Sequence, residues 1–140
     1  RVLFRSELLE LPIEILVPAA IENVITEKNA DKIHAELILE LANGPINFEA
    51  GEILNKKGKI VIPDVLANSG GVIVSYFEWV QNIRHFYWDI NKVNDRLLEK
   101  INSAADIVWK YSKDYEIDMR SAAYVLAIEK LVKAFKIRGV

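Results

Sequence analysis

Three stretches hold the residues best suited to grip a small polar ligand: Pro18-Ala19-Ala20-Ile21-Glu22-Asn23, Ala42-Asn43-Gly44-Pro45 and Pro63-Asp64-Val65-Leu66-Ala67-Asn68-Ser69-Gly70-Gly71. Each mixes small residues, proline and asparagine. Small side chains let a flat ring lie against the backbone. Asparagine carries a donor and an acceptor on one short arm, which recognition of a carboxamide requires. Composition alone favours the plainer reading, that these are tight turns and helix caps.

Each stretch follows an apolar run, and those runs explain how the three could meet. Glu14-Ile15-Leu16-Val17 is stopped by Pro18, Leu37-Ile38-Leu39-Glu40-Leu41 by Asn43-Gly44-Pro45, and Lys59-Ile60-Val61-Ile62 by Pro63. Short apolar runs bounded by such breakers read as buried strands. Between the first two, Thr26 precedes a short helix over Glu27–Ile33. Between the second and third, Asn47 caps a helix from Phe48 to about Lys57, with Glu49 and Glu52 early and Lys56 and Lys57 late, as the helix dipole favours. Gly58 ends it. Strand, helix, strand, helix, strand makes parallel pairing with right-handed crossovers the expectation. In such sheets ligands bind beyond the carboxyl ends of the strands, where the three stretches fall. Three strands are half of a doubly wound sheet, and no G-x-G-x-x-G turn occurs in them.

The texture changes after Pro63. A mostly apolar helix is expected from Val72 to Phe86 and should be nearly surrounded by protein. Asp89 or Asn91 starts a second, running to about Tyr111, with Val93, Leu97, Ile101, Ile107 and Val108 inward. Asp118 caps a third, to about Lys136, burying Ala122, Ala123, Leu126, Ile128 and Leu131. The fold class is therefore α/β: three strands with two crossover helices as a partial Rossmann-like domain over residues 7–66, then a segment of three helices over 67–140. Arg1–Ser6 are set aside. They match one translated frame of a sequencing adapter, or form a short native strand or linker.

Composition excludes several function classes. The chain has 140 residues, enough for one domain with a core, and a net charge of −2, so no basic patch points to nucleic acid. No apolar run reaches the roughly 18 residues needed to span a bilayer. The lack of cysteine removes thiolate metal sites and fits a reducing cytoplasm. His34 and His85 lie far apart, which argues against a histidine zinc site. Asp64, Glu78 and Glu22 have no convergent spacing, so solvated or capping roles are expected. Trp79, Phe86, Tyr87, Trp88 and Trp109 suit core and subunit packing, with some rings exposed if a covering domain lies outside this chain.

Longer motifs add a family resemblance. Val17-Pro18-Ala19-Ala20-Ile21-Glu22-Asn23, Ala42-Asn43-Gly44-Pro45 and Leu66 through Asn82 (LANSGGVIVSYFEWVQN) resemble glutamate dehydrogenase, and Asp118-Met119-Arg120-Ser121-Ala122-Ala123-Tyr124 resembles that family's last long helix. The likeness runs from about residue 7 to the end, and Asn68–Asn82 is its most specific part. It implies reversible oxidative deamination of L-glutamate to 2-oxoglutarate and ammonia, with NAD or NADP as hydride acceptor and a homohexameric parent protein. It places Ala19 and Ala20 against the cofactor, and Asn43 and Asn68 around its nicotinamide end. Ser75 would bond the substrate's side-chain carboxylate, and Val72 would pack on the substrate chain. A carboxylate near a helix start is also favoured by free amides and the dipole. The alternative for Ser75 is a hydroxyl bonded back to its own helix.

The resemblance puts the catalytic lysine, the proton-moving aspartate and the glycine-rich turn in regions upstream of these residues. No catalytic residue is therefore expected in this chain, and alone it should be inert. Leu41 stands where relatives commonly have glycine, relatives tend to have hydroxyl residues near Ile46 and Asn47, of which only Asn47 offers a polar group, and Ser69 replaces a frequent alanine. The Gly70-Gly71 pair reads either as a hinge or as a tight turn into the helix. Two rivals stay open: a dehydrogenase of branched-chain or aromatic amino acids, disfavoured by a hydroxyl at position 75, and a non-catalytic module binding nucleotide or a partner chain.

Overall fold

The computed structural model describes residues 5–139, with side chains from residue 7 onward. Helix α1 (Arg5–Leu9) leads to β1 (Ile15–Leu16), one 3-10 turn (Ala30–Lys32) and β2 (Leu37–Leu39). Then come α2 (Phe48–Lys56), β3 (Ile60–Ile62), α3 (Asp64–Ala67), α4 (Gly70–Arg84), α5 (Ile90–Asp114) and α6 (Met119–Arg138). The strands form one parallel sheet in the order β1-β2-β3, with Leu16 opposite Ile38 and Ile38 opposite Val61. The expected α/β class and strand direction are both present. A parallel bridge between Ile25 and Ile46 prolongs the contact of the first two loops beyond the strands.

The core of this half is a cluster of Leu9, Leu16, Ile25, Ala30, Ile33, Ala35, Ile38, Ile46, Ala50 and Leu54. Asn47 caps α2, its side-chain oxygen accepting the Ala50 N–H at 2.9 Å. Gly58 follows with φ +73°, a conformation glycine adopts without penalty. A second, smaller cluster joins Leu66 of α3 to Val108 of α5 and to Met119 and Ala122 of α6, which also packs beside β3.

Several expectations are corrected. The helix expected over Glu27–Ile33 is only the 3-10 turn. The Asn29 side chain accepts the Thr26 N–H at 2.8 Å and donates to the Val24 carbonyl at 2.9 Å, offering the backbone a local alternative to helical bonding. Helices α1 and α3 were not anticipated. Helix α4 begins at Gly70, so the Gly70-Gly71 pair lies in its first turn and is not a separate link. Gly70 there faces α5: a methyl group at this position would meet Ile101 Cδ1 at 3.5 Å. Helix α4 is not surrounded by protein. Among its residues Phe77 and Gln81 are buried, while Val72, Tyr76, Trp79 and Ile83 are exposed, because α5 is its main neighbour among the described residues. On α6, Ala122 is buried and Ala123 and Leu126 partly so, but Ile128 and Leu131 are exposed. The sheet and α5 cover only its first half. On α5, Val108 is buried, whereas Ile107 is on the exposed side.

Asp89 caps α5 through the Lys92 N–H at 3.0 Å, and Asp118 caps α6 through the Ser121 N–H at 2.9 Å. A compact corner joins α4 to α5. His85 ends α4 in the left-handed region at φ +49°. Gln81, buried, donates to the Phe77 carbonyl at 3.1 Å and accepts the Trp88 N–H. The Trp88 ring packs on Phe77, centroids 5.5 Å apart, and the Arg96 guanidinium lies 4.0 Å from its centre.

Candidate functional site

The strands end at Leu16, Leu39 and Ile62, so the loops after them leave from one edge of the sheet. Backbone bonds knit these loops together. Leu41 and Ala42 donate N–H groups to the Pro18 carbonyl at 3.1 and 2.9 Å, and the Asn23 N–H donates to the Gly44 carbonyl at 2.9 Å. Asn23 takes a left-handed φ of +51° and Gly44 one of +54°. Asparagine and glycine bear that conformation at least cost, which is why these two types stand at these turns.

A cleft of ≈ 790 Å³ opens at this edge, lined by Ala20, Ile21, Glu22, Leu41, Ala42, Asn43, Asn68, Gly71, Val72 and Ser75. The three stretches and the start of α4 thus share one hollow. Ala20, Asn43, Asn68, Val72 and Ser75 all line it. Ala19 is exposed but is not among the lining residues. Asn68 Nδ2 donates to Asn43 Oδ1 at 2.7 Å and more loosely to the Leu41 carbonyl at 3.4 Å. The pair uses one donor group and one acceptor on each other. Asn43 Nδ2 and Asn68 Oδ1 keep no hydrogen-bond partner among the described residues. A free donor and a free acceptor side by side form the complement of a primary carboxamide.

Ser75 lies in the second turn of α4, further in than its expected place near the helix start, and it is exposed. Its hydroxyl makes no hydrogen bond among the described residues, so the alternative of bonding back to the helix is not realised. Ser69, by contrast, donates to the Leu66 carbonyl at 2.7 Å.

Beneath the cleft lies a charged cluster that the sequence reading missed. Glu40, directly after β2, is 0% exposed. Its Oε2 accepts the Asp64 N–H at 2.9 Å and a bond from the Arg120 guanidinium. Arg120 also donates to Asp64 Oδ1 at 3.0 Å, and Asp64 Oδ2 accepts the Gly44 N–H at 2.8 Å. Burial pushes the Glu40 carboxyl above the usual carboxylate range, against the pull of Arg120. Burial acts on Asp64 in the same direction. There the Gly44 and Val65 N–H groups, with Arg120, outweigh it and hold the carboxyl below its ordinary value. Asp64 thus accepts a first-turn amide of α3, as a capping role expects, and in addition bonds Gly44 and Arg120, while Glu78 is exposed and Glu22 stands at the cleft wall. One signal could have revealed Glu40. It sits two residues beyond Ile38, the fully buried centre of β2, and side chains at i and i+2 share a face.

A second cleft of ≈ 640 Å³ runs between α2, β3, α5 and α6. Two of its polar residues, Asn47 and Asp118, have a side-chain oxygen committed as a helix cap, and it lies away from the loops at the carboxyl edge. His34 and His85 are both exposed, and His85 acts as the cap of α4. No described helix is long and apolar enough to cross a membrane.

A three-stranded parallel sheet flanked by helices, with polar loops converging on a cleft at its carboxyl edge, has the architecture of half of a doubly wound α/β domain. The chain belongs to the Glutamate/Leucine/Phenylalanine/Valine dehydrogenase family, which matches residues 2–139. It is 50% identical over 135 residues to the glutamate dehydrogenase of Thermotoga maritima, covering 96% of this chain and 32% of that protein. It is also 50% identical over 134 residues to the NAD-specific glutamate dehydrogenase of Staphylococcus aureus strain COL, again covering 96% of this chain and 32% of that one. Among solved structures, the hetero-hexameric glutamate dehydrogenase of Thermus thermophilus in its Leu-bound form superposes with a TM-score of 0.92 at 36% identity. The match covers 99% of this chain and 33% of that one. Glutamate dehydrogenase from Peptoniphilus asaccharolyticus gives 0.84 at 42% identity, over 88% of this chain and 31% of that one. The chain thus spans about a third of the length of the curated relatives it matches.

Proposed function

We propose that this chain forms the C-terminal part of a glutamate dehydrogenase and supplies one wall of its dinucleotide and substrate cleft. The observation that carries the reading is the Asn43–Asn68 pair, with its free donor and acceptor, sharing a hollow with the unbonded hydroxyl of Ser75. The curated relatives named above are glutamate dehydrogenases, and one is named NAD-specific. Residues 7–66 then form the partial dinucleotide-binding unit and 67–140 the helical segment, with the catalytic groups on upstream parts of the protein.

The chain's own residues fit the nicotinamide end of NAD or NADP. Ala20, Ala42 and Gly71 present little bulk to the cleft, so a flat ring can approach the backbone. Asn43 Nδ2 would donate to the carboxamide oxygen and Asn68 Oδ1 would accept from its NH₂, with Ala19 and Ala20 against the cofactor. When bound, the nicotinamide supplies the acceptor for hydride from the substrate's alpha carbon. Ser75 donates a hydrogen bond to the side-chain carboxylate of glutamate, and Val72 packs along its methylene groups. A hydroxyl at that position favours glutamate over a branched-chain or aromatic substrate, which would leave it unpaired. The whole protein is read as a cytoplasmic homohexamer; a hexamer, there a hetero-hexamer, is also the form of the Thermus relative.

The test joins this segment to its upstream coding sequence and follows dinucleotide reduction with glutamate. The joined protein should turn over and the 140-residue chain alone should not. Asn68→Ala should raise KM for the dinucleotide about tenfold, and Ser75→Val should raise KM for glutamate by a similar factor. A joined protein that oxidises leucine or phenylalanine and ignores glutamate refutes the substrate assignment.

A further inference from the structure

The Asn43–Asn68 pair sits on loops, and hydrogen bonds through Gly44 and Asp64 connect those loops to Arg120 of the last helix. The geometry points to Arg120 as a positioning residue for the dinucleotide wall of the cleft, acting through Asp64 on Gly44. This inference rests on the reading of that wall given above.

Glu40 Oε2 and Asp64 both bond the same guanidinium, and the Asp64 N–H also bonds Glu40. Two carboxylates so close repel unless a cation stands between them. Arg120 is that cation, and its planar fork spans both, which a lysine's single ammonium cannot reproduce. Of the Asp64 oxygens, Oδ1 accepts the Val65 N–H at 2.8 Å and the Arg120 guanidinium at 3.0 Å, and Oδ2 receives the Gly44 N–H at 2.8 Å. Gly44 neighbours Asn43, and Asn43 receives the Asn68 amide at 2.7 Å. The Val65 N–H is local to α3, so the guanidinium is the anchor that ties this oxygen to the last helix while the other oxygen holds the Asn-Gly-Pro turn in register with Asn68. Glu40 anchors the arrangement from below. It is 0% exposed, and its Oε1 has no partner among the described residues, so its attachment to the cluster runs through Oε2 alone. Arg120 lines the second cleft and not the one with the asparagines, so it acts at a distance from any bound ring.

The test has two arms. Amide hydrogen exchange on the 140-residue chain compares wild type with Arg120→Lys and Arg120→Met. Gly44 N–H exchange should speed up about tenfold or more in Arg120→Met and less in Arg120→Lys. The Ala50 N–H, bonded by the Asn47 cap of α2, should keep its rate. Equal acceleration at both amides, or none at either, overturns the proposal. If Arg120→Met does not fold, Arg120→Lys carries the comparison. In the second arm the same variants are placed in the joined protein. KM for NAD (or NADP) should rise about tenfold and KM for glutamate stay level. A glutamate KM that rises equally, or a dinucleotide KM that does not move, refutes it. Should the wild-type joined protein show no dinucleotide dependence while Gly44 still responds to Arg120, the functional reading fails and takes the dinucleotide half of this proposal with it.

Discussion

Leu54 and Phe135 are both large apolar residues on helices, yet Leu54 is fully buried and Phe135 is 54% exposed. They typify their regions. From α1 to β3 the chain closes ten buried side chains into a core, and the apolar residues it leaves outside lie mainly on the outer strands, the loops and Phe48 of α2. From α4 to α6 a small shared cluster is buried together with Phe77 and Gln81 of α4, and Trp79, Phe86, Tyr124, Leu131 and Phe135 face outward. The first region buries a core of its own and carries the cleft edge. The second is built of surfaces that remain apolar after this chain has folded, a pattern typical of interaction faces.

The strongest challenge to this contrast is at the joint between the regions. Glu40→Ala leaves the Asp64 N–H without its acceptor and Arg120 with one carboxylate, and should lower unfolding stability by about 3 kcal/mol in urea titration. A loss below about 1 kcal/mol would mean the regions hold together without the charged cluster. Leu54→Ala should cost about 3 kcal/mol, whereas Phe135→Ala should stay within about 0.5 kcal/mol by the same measurement. Equal losses would erase the contrast.

Acid titration sharpens it further. The folded pKa of Asp64 is depressed, so folding disfavours its protonation. Its stabilisation is complete above the unfolded value of about 4 and is lost as pH falls through the depressed folded value. Glu40 behaves oppositely. Its folded pKa is raised, so stability declines as pH climbs from about 4.3 through the raised value. Asp64→Asn should flatten the acid limb of the stability profile, and Glu40→Gln the limb above it, each read from urea midpoints across pH. Asn47→Ala should cost about 1 kcal/mol by loss of the α2 cap. Smallest in stability is Trp79→Lys with Phe135→Lys. It should leave the urea midpoint nearly unchanged while reducing concentration-dependent association in sedimentation velocity.

The parallel sheet was legible because Leu37–Leu39 and Ile60–Ile62 are apolar runs ended by strong breakers, and α2, α5 and α6 because Asn47, Asp89 and Asp118 mark their starts. The 3-10 turn was not, since the bonds made by Asn29 compete with helix formation in a way that residue types alone do not reveal. The gathering of Asn43 and Asn68 followed from strand direction, and the addition of Ser75 from the family resemblance. The Glu40–Arg120 bond did not, because it joins residues 80 positions apart and depends on where α6 lands beside β3. Burial of α4 was overestimated for the same reason: composition reports what a face prefers, not whether a neighbour is there.

The corner at Trp88 has a mechanical consequence. With its backbone amide held by Gln81 and its ring wedged between Phe77 and Arg96, the turn after His85 has little slack. The corner ties the end of α4 to the start of α5 through a side-chain bond and a ring. Because α5 packs along both α4 and α6, and α6 carries Arg120, unbroken packing joins the helix at the cleft wall to the guanidinium beneath it.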